Sequence, residues 1–119
     1  MGALLNELRE RGCDVDGAIG RFLNREDFYA KCYGKFLKDP AFAGLKDALE
    51  TKDADKAFRH AHTLKGLTAN MGLTALNDTA AKMVEPLRAG LINGEVEELY
   101  KKLVKEMETY RRIGTRNGL

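Results

Sequence analysis

His62 lies in the stretch Arg59 to Gly72, RHAHTLKGLTANMG, which holds both histidines of the chain. An imidazole with an ordinary pKa of ~6.5 keeps a nucleophilic nitrogen lone pair at pH 7. Lys65 follows at i+3, Gly66 at i+4 and Ala69 at i+7. On a helix each residue turns ~100°, so His62, Gly66 and Ala69 share one strip of surface. Lys65 stands between that strip and the core edge, where its ammonium can approach an anion held on the ring. A glycine inside a helix costs ~1 kcal/mol relative to alanine. Close approach by another molecule is one compensation. Nucleophile, cation and cleared surface together suit reversible phosphorylation of His62, because the phosphoryl group needs in-line access and charge stabilisation and little else from such an acceptor.

Taken singly, these residues have plainer readings. A lone helical histidine is most often a surface residue or a satisfied core residue, and a lysine or glycine alone says little. His60 is two residues from His62, which sets the two rings ~200° apart. They cannot jointly hold a metal from adjacent turns, which needs i, i+3 or i, i+4 spacing. His60 is therefore read as structural or solvent-exposed, and no metal site is expected. Arg59, at i−3, is placed to touch an incoming anionic loop, against plain solvation as the alternative. Asp55 reads as a helix-start charge.

The elements that must position the strip are helical. Strand-like alternation is almost absent, proline is scarce, and 44% hydrophobic with 32% charged residues suits a globular chain. At 119 residues one domain is expected. Residues 3–11 make a short amphipathic helix with Leu4, Leu5 and Leu8 on one side, stopped by Gly12. A second short helix opens at Asp14 or Asp16. Asn24 is read as the cap of the next helix. Asp39-Pro40 restarts the chain with Asp as cap and Pro at the first helical position. Asp53 caps the helix of the opening stretch, whose core face is Ala57, Ala61, Leu64, Thr68 and Met71, with Gly72 free to take a positive φ. Leu73, Leu76, Ala80, Met83 and Leu87 face inward on the following helix, which Pro86 should kink or end. Val96, Leu99, Leu103, Met107 and Tyr110 form the last buried stripe.

Short loops between such helices imply antiparallel neighbours. The expected fold is an all-α, up-down antiparallel four-helix bundle of helices near 25–38, 53–71, 73–90 and 94–113, with additional short N-terminal helices. Residues 1–12 are an N-terminal extension that could cap the bundle, make a dimer or belong to a larger protein. Residues 40–51 cover an end or side, and 114–119 form a flexible tail.

A net charge of +2, from 20 basic and 18 acidic residues, gives no argument for nucleic acid. No apolar run approaches the ~20 residues of a membrane span, and the N-terminus turns charged too soon for a secretory signal. Cys13 and Cys32 make neither a CxxC site nor a disulfide framework. Cys32 is read as a small core hydrophobe. A reducing, cytoplasmic setting and a monomer are expected.

Ala61-His62-Thr63-Leu64-Lys65-Gly66, followed by Thr68-Ala69-Asn70 and Gly72, resembles the signature of the histidine-containing phosphotransfer (HPt) domain family. The upstream stretch VDGAIGRFLNREDFYAKCYGKFLKD is similar to that family's opening segment, and the likeness covers about residues 14–110. It implies a four-helix bundle whose exposed histidine accepts phosphate, usually on Nε2, from the aspartyl phosphate of a response-regulator receiver domain and passes it to another receiver. By position, His62 is then the phosphoryl acceptor and Lys65 helps neutralise the phosphoryl group. Gly66 leaves room for the receiver's loops, and Ala69 extends that surface. The implied partners are receiver domains and a hybrid histidine kinase. Magnesium and the acceptor aspartate would come from the receiver, so no cofactor of the chain's own is implied. With no P-loop or nucleotide-binding glycine array, the chain is expected to be a carrier and not an enzyme.

Two rivals remain at this level. The phosphoacceptor module of a sensor histidine kinase wants an acidic residue directly after the histidine and a proline soon after. Here Thr63 follows His62, and the next proline is Pro86. A helical adaptor that binds receivers without chemistry is disfavoured by the joint presence of His62, Lys65 and Gly66.

Overall fold

Local signals start and stop most helices of the chain, as seen in a computed structural model that describes residues 2–119. Helix α1 (Ala3–Glu10) buries Leu4, Leu5 and Leu8 and is followed by Gly12 at φ 84°. Helix α2 (Val15–Ala18) opens at Asp14, whose carboxylate accepts from the Gly17 amide. It runs into a 3₁₀ turn, Ile19–Phe22. Helices α3 (Glu26–Leu37), α4 (Pro40–Glu50), α5 (Ala54–Met71), α6 (Thr74–Arg88) and α7 (Gly94–Arg116) follow. Side chains cap three of these. Asp39 accepts from the Ala41 amide, Asp53 from Lys56 and Asn93 from Val96, each satisfying a donor that a helix start leaves unpaired.

Asn24 is not the cap of α3. Leu23 and Asn24 both lie in the left-handed region, at φ 59° and 54°, and the Asn24 amide bonds back to the Ile19 carbonyl. Asn24 serves the reversal out of the 3₁₀ turn, a conformation asparagine tolerates better than most residues. The extended residue before the helix is Arg25, which makes no cap bond and pairs instead with Asp27.

Helix α4 is the larger departure from expectation. It packs along the first half of α5 as a full member of the bundle, not as a cover for it. Helices α3 and α4 together form one rod, broken at Asp39-Pro40, that runs antiparallel to α5. The Tyr29 hydroxyl of α3 reaches the Met71 carbonyl at the far end of α5, while Gly44 of α4 sits against His60. Proline at a helix start keeps the chain helical but removes an amide, so a break in one rod and two separate helices look alike in sequence. The bundle is thus α3–α4, α5, α6 and α7, up-down throughout.

Pro86 falls in the last turn of α6, which ends two residues later. Helix α7 continues to Arg116, through the first residues expected to be tail, and the Leu119 amide donates to the Gly114 carbonyl. Helix α1 lies over this end of α7. Glu7 accepts from Arg116 at 2.6 Å and from Asn117 at 3.3 Å. The Arg116 guanidinium holds the Glu7 carboxyl below its ordinary range.

The predicted core face of α5 is buried in full. So are the inward residues named on α6, and on α7 all but the half-buried Leu99. Tyr29 and Tyr33 are wholly buried, yet each hydroxyl has a partner. Tyr29 donates to the Met71 carbonyl at 2.7 Å and Tyr33 to the Tyr110 carbonyl at 2.6 Å. Burial pushes both phenols far above their usual range, so both remain donors. Cys13, not Cys32, is the buried cysteine. Its sulfur lies 3.6 Å from the Tyr110 hydroxyl, and burial pushes its thiol up. Cys32 is half-buried. Among the described residues no helix is long and apolar enough to cross a membrane, and no group of three or more His, Cys, Asp or Glu is arranged to hold a metal ion.

Candidate functional site

Helix α5 carries the strip, and both its ends are fastened. Asp53 holds the first turn. At the other end almost every carbonyl that a helix terminus leaves free finds a donor. Thr68 and Ala69 carbonyls take the amides of Leu73 and Gly72. Arg21, from the 3₁₀ turn, donates to Ala69 and Asn70 at 2.9 and 3.0 Å. Tyr29 takes Met71, and the Asp14 amide donates to Gly72 at 2.8 Å. Gly72 adopts φ 73°, and a Cβ there would lie 2.3 Å from the Asp14 carbonyl oxygen. Only glycine permits both the left-handed turn and this approach.

The middle of α5 is anchored from α6. The Asn77 side-chain amide donates to the Lys65 carbonyl at 2.8 Å, and the buried Thr68 hydroxyl donates to the Leu64 carbonyl at 2.7 Å. The first bond lies at the exposed edge toward α6 and the second is buried, and both leave the His62 face clear.

On that face His62, Lys65, Gly66 and Ala69 are all exposed. A Cβ built on Gly66 would meet nothing within 4 Å. Gly66 therefore makes room for no other part of the described residues. Lys65 forms no ion pair among the described residues, so its ammonium is available to an anion. The strip from His62 to Ala69 spans about 10 Å at 1.5 Å per residue, enough for a partner's loop to lie along it.

Arg59 is also exposed, but its guanidinium pairs with Asp55 one turn earlier, both side chains about two-thirds exposed at 68% and 69%. An exposed pair of this kind is worth little and can open to an anion. His60 falls elsewhere. It is half-buried, and its ring occupies the space that a side chain at Gly44 would take, with ring atoms 2.4 to 2.8 Å from a Cβ built there. The structural reading of His60 is the one the packing bears out.

Sequence reasoning passed over three residues. Phe58, at i−4 from His62, sets its ring 5.8 Å from the imidazole centroid. Arg88, from the last turn of α6, lies with its guanidinium carbon 5.3 Å from the Phe58 ring centroid. Arg21 closes the end of α5 from 48 residues away. The i−4 spacing of Phe58 was a readable signal, whereas the other two depend on how the helices pack.

The arrangement is a helical bundle offering one imidazole on a bare helix face beside a free ammonium. The family model of the Hpt domain matches residues 39–112, from the cap of α4 into the last third of α7. The chain belongs to the Hpt domain family, whose members serve phosphotransfer in two-component phosphorelays. No curated protein and no solved structure matches the chain. The likeness read upstream, over residues 14–38, lies outside the family match.

Proposed function

We propose that this protein is a phosphorelay carrier in which His62 accepts a phosphoryl group from the aspartyl phosphate of a receiver domain and donates it to the aspartate of another. The observation that carries this reading is the pairing of an exposed His62 with Gly66, whose absent side chain leaves space that nothing in the chain fills. One imidazole nitrogen attacks phosphorus as the P–O bond to the receiver's carboxylate breaks, its electron pair returning to that carboxylate. The other ring nitrogen keeps its proton, leaving a positive ring beside the phosphoryl anion. Lys65 adds a second positive charge. Donation is the reverse of these steps at a second receiver. Magnesium and the acceptor aspartate belong to the receiver, and a hybrid histidine kinase is the upstream source.

Label transfer from a phosphorylated receiver tests this. Wild-type protein should take the label and His62→Gln should not. The bound label should be lost in acid and survive in base, as an N–P bond requires. Label on both proteins would move the site elsewhere. Receiver binding without label on either would make the protein an adaptor.

A further inference from the structure

The imidazole of His62 has unequal surroundings along its own helix face. Toward the C-terminus, Gly66 offers no side chain. Toward the N-terminus stands the half-buried Phe58, its ring tilted 45° to the imidazole with centroids 5.8 Å apart. Phe58 is covered in turn by Arg88 of α6, whose guanidinium carbon is 5.3 Å from the ring centroid. Arg88 is steadied by Glu85 one turn back, at 2.7 Å. A chain of contacts thus runs Glu85, Arg88, Phe58, His62 across two helices.

An exposed histidine ordinarily samples several χ1 rotamers, while transfer needs the reacting nitrogen in line with phosphorus. Group transfer is steep in such geometry, and a misplacement of about 1 Å can cost roughly a hundredfold in rate. A ring supported on one side and open on the other is restricted without being covered. A guanidinium over an aromatic face is a favourable and oriented contact, and lysine reproduces its charge but not its planar stacking.

We propose that Phe58 and Arg88 are positioning residues for the transfer reaction: Arg88 holds the Phe58 ring, and Phe58 restricts the His62 imidazole to the orientation that presents its reacting nitrogen to the receiver. This rests on the phosphorelay reading for its purpose, but the restriction belongs to the free protein and can be measured without any receiver.

The experiment has two arms. In the first, three-bond couplings across His62 χ1 and the ring-current shifts of its carbon-bound protons are measured by NMR in the unphosphorylated protein. Wild type should show one dominant rotamer. Arg88→Gln and Phe58→Ala should move the couplings toward rotamer averages, and Arg88→Lys should move them less. Arg88→Gln alters an exposed side chain, 54% accessible, so it decides the matter even if Phe58→Ala is poorly folded. In the second arm, transfer from a phosphorylated receiver is followed over a range of receiver concentrations. The rate at saturation should fall about tenfold for Phe58→Ala and about threefold for Arg88→Gln, with the half-saturating concentration unchanged. Couplings that are averaged in wild type, or identical in all variants, would overturn the proposal. So would a raised half-saturating concentration with the saturated rate intact, since that describes a docking contact. A single rotamer that loosens in the variants, in a protein that takes no label, would retain the restriction and defeat the phosphorelay reading instead.

Discussion

His60 and His62 are two residues apart on one helix, and each faces a glycine, yet the two glycines differ. Gly44 lies across from His60 on a neighbouring helix, and a side chain there would collide with the ring at 2.4 Å. Gly66 lies one turn along from His62 on the same helix, and a side chain there would meet nothing. The first glycine is explained within the molecule: it lets α4 and α5 close over an imidazole. The second has no such explanation. In an exposed helical position glycine only costs stability, and under the proposed function a docking partner accounts for it. The comparison separates a histidine packed between two helices from one left exposed on an open face.

The sharpest way to break this contrast is at His62. His62→Gln should abolish label uptake, while His60→Gln should retain it within about twofold. Loss of transfer in both would mean the two rings share the work, against their ~200° separation. Next in size is Gly66→Leu. Helix propensity predicts a stability that is unchanged or higher by up to ~1 kcal/mol, whereas transfer should fall at least about tenfold because the docking strip is filled. Urea unfolding and transfer rates measured on the same sample check both halves, and fast transfer in that variant would remove the argument for a cleared surface. Gly44→Leu should behave the opposite way. Overpacking predicts a loss of about 1–3 kcal/mol, partly recovered in Gly44→Leu/His60→Ala, with transfer per folded molecule unchanged. A double-mutant cycle reads that coupling directly. The smallest effect is expected at Lys65. Lys65→Ala should slow transfer a few-fold while His62 remains modifiable, because an exposed charge near the phosphoryl group acts through partly screened electrostatics. Raising the salt concentration should narrow the difference between Lys65→Ala and wild type.

How much of this was legible differs from residue to residue. The buried stripe Ala57, Ala61, Leu64, Thr68 and Met71 and the exposed strip opposite it follow from a rotation of ~100° per residue, and both are as read. Asp39 and Asp53 cap their helices as read, because a capping bond spans only two or three residues, whereas the cap at Asn93 was not singled out. Asn24 misled because asparagine favours both caps and left-handed turns, and the choice fell to the reversal that follows Phe22. Cys32 sits among aromatic residues in sequence but reaches only the edge of the core, while Cys13, in a loop with no periodicity to read, is drawn under Tyr110.

The sequence by itself determined where the helices run, which face of α5 is buried, and that His62, Gly66 and Ala69 share an open strip with Lys65 at its edge. Each of these depends on neighbours within a turn or two. Tertiary structure alone decided that α3 and α4 act as one broken rod, that Arg21, Tyr29 and Asp14 tie down the end of α5, and that Arg88 reaches over Phe58 beside the imidazole. Those contacts join residues 30 to 58 positions apart, and no periodicity encodes which helix will stand beside which. Packing chooses that partner by the shape of whole faces, which exists only once the bundle has closed.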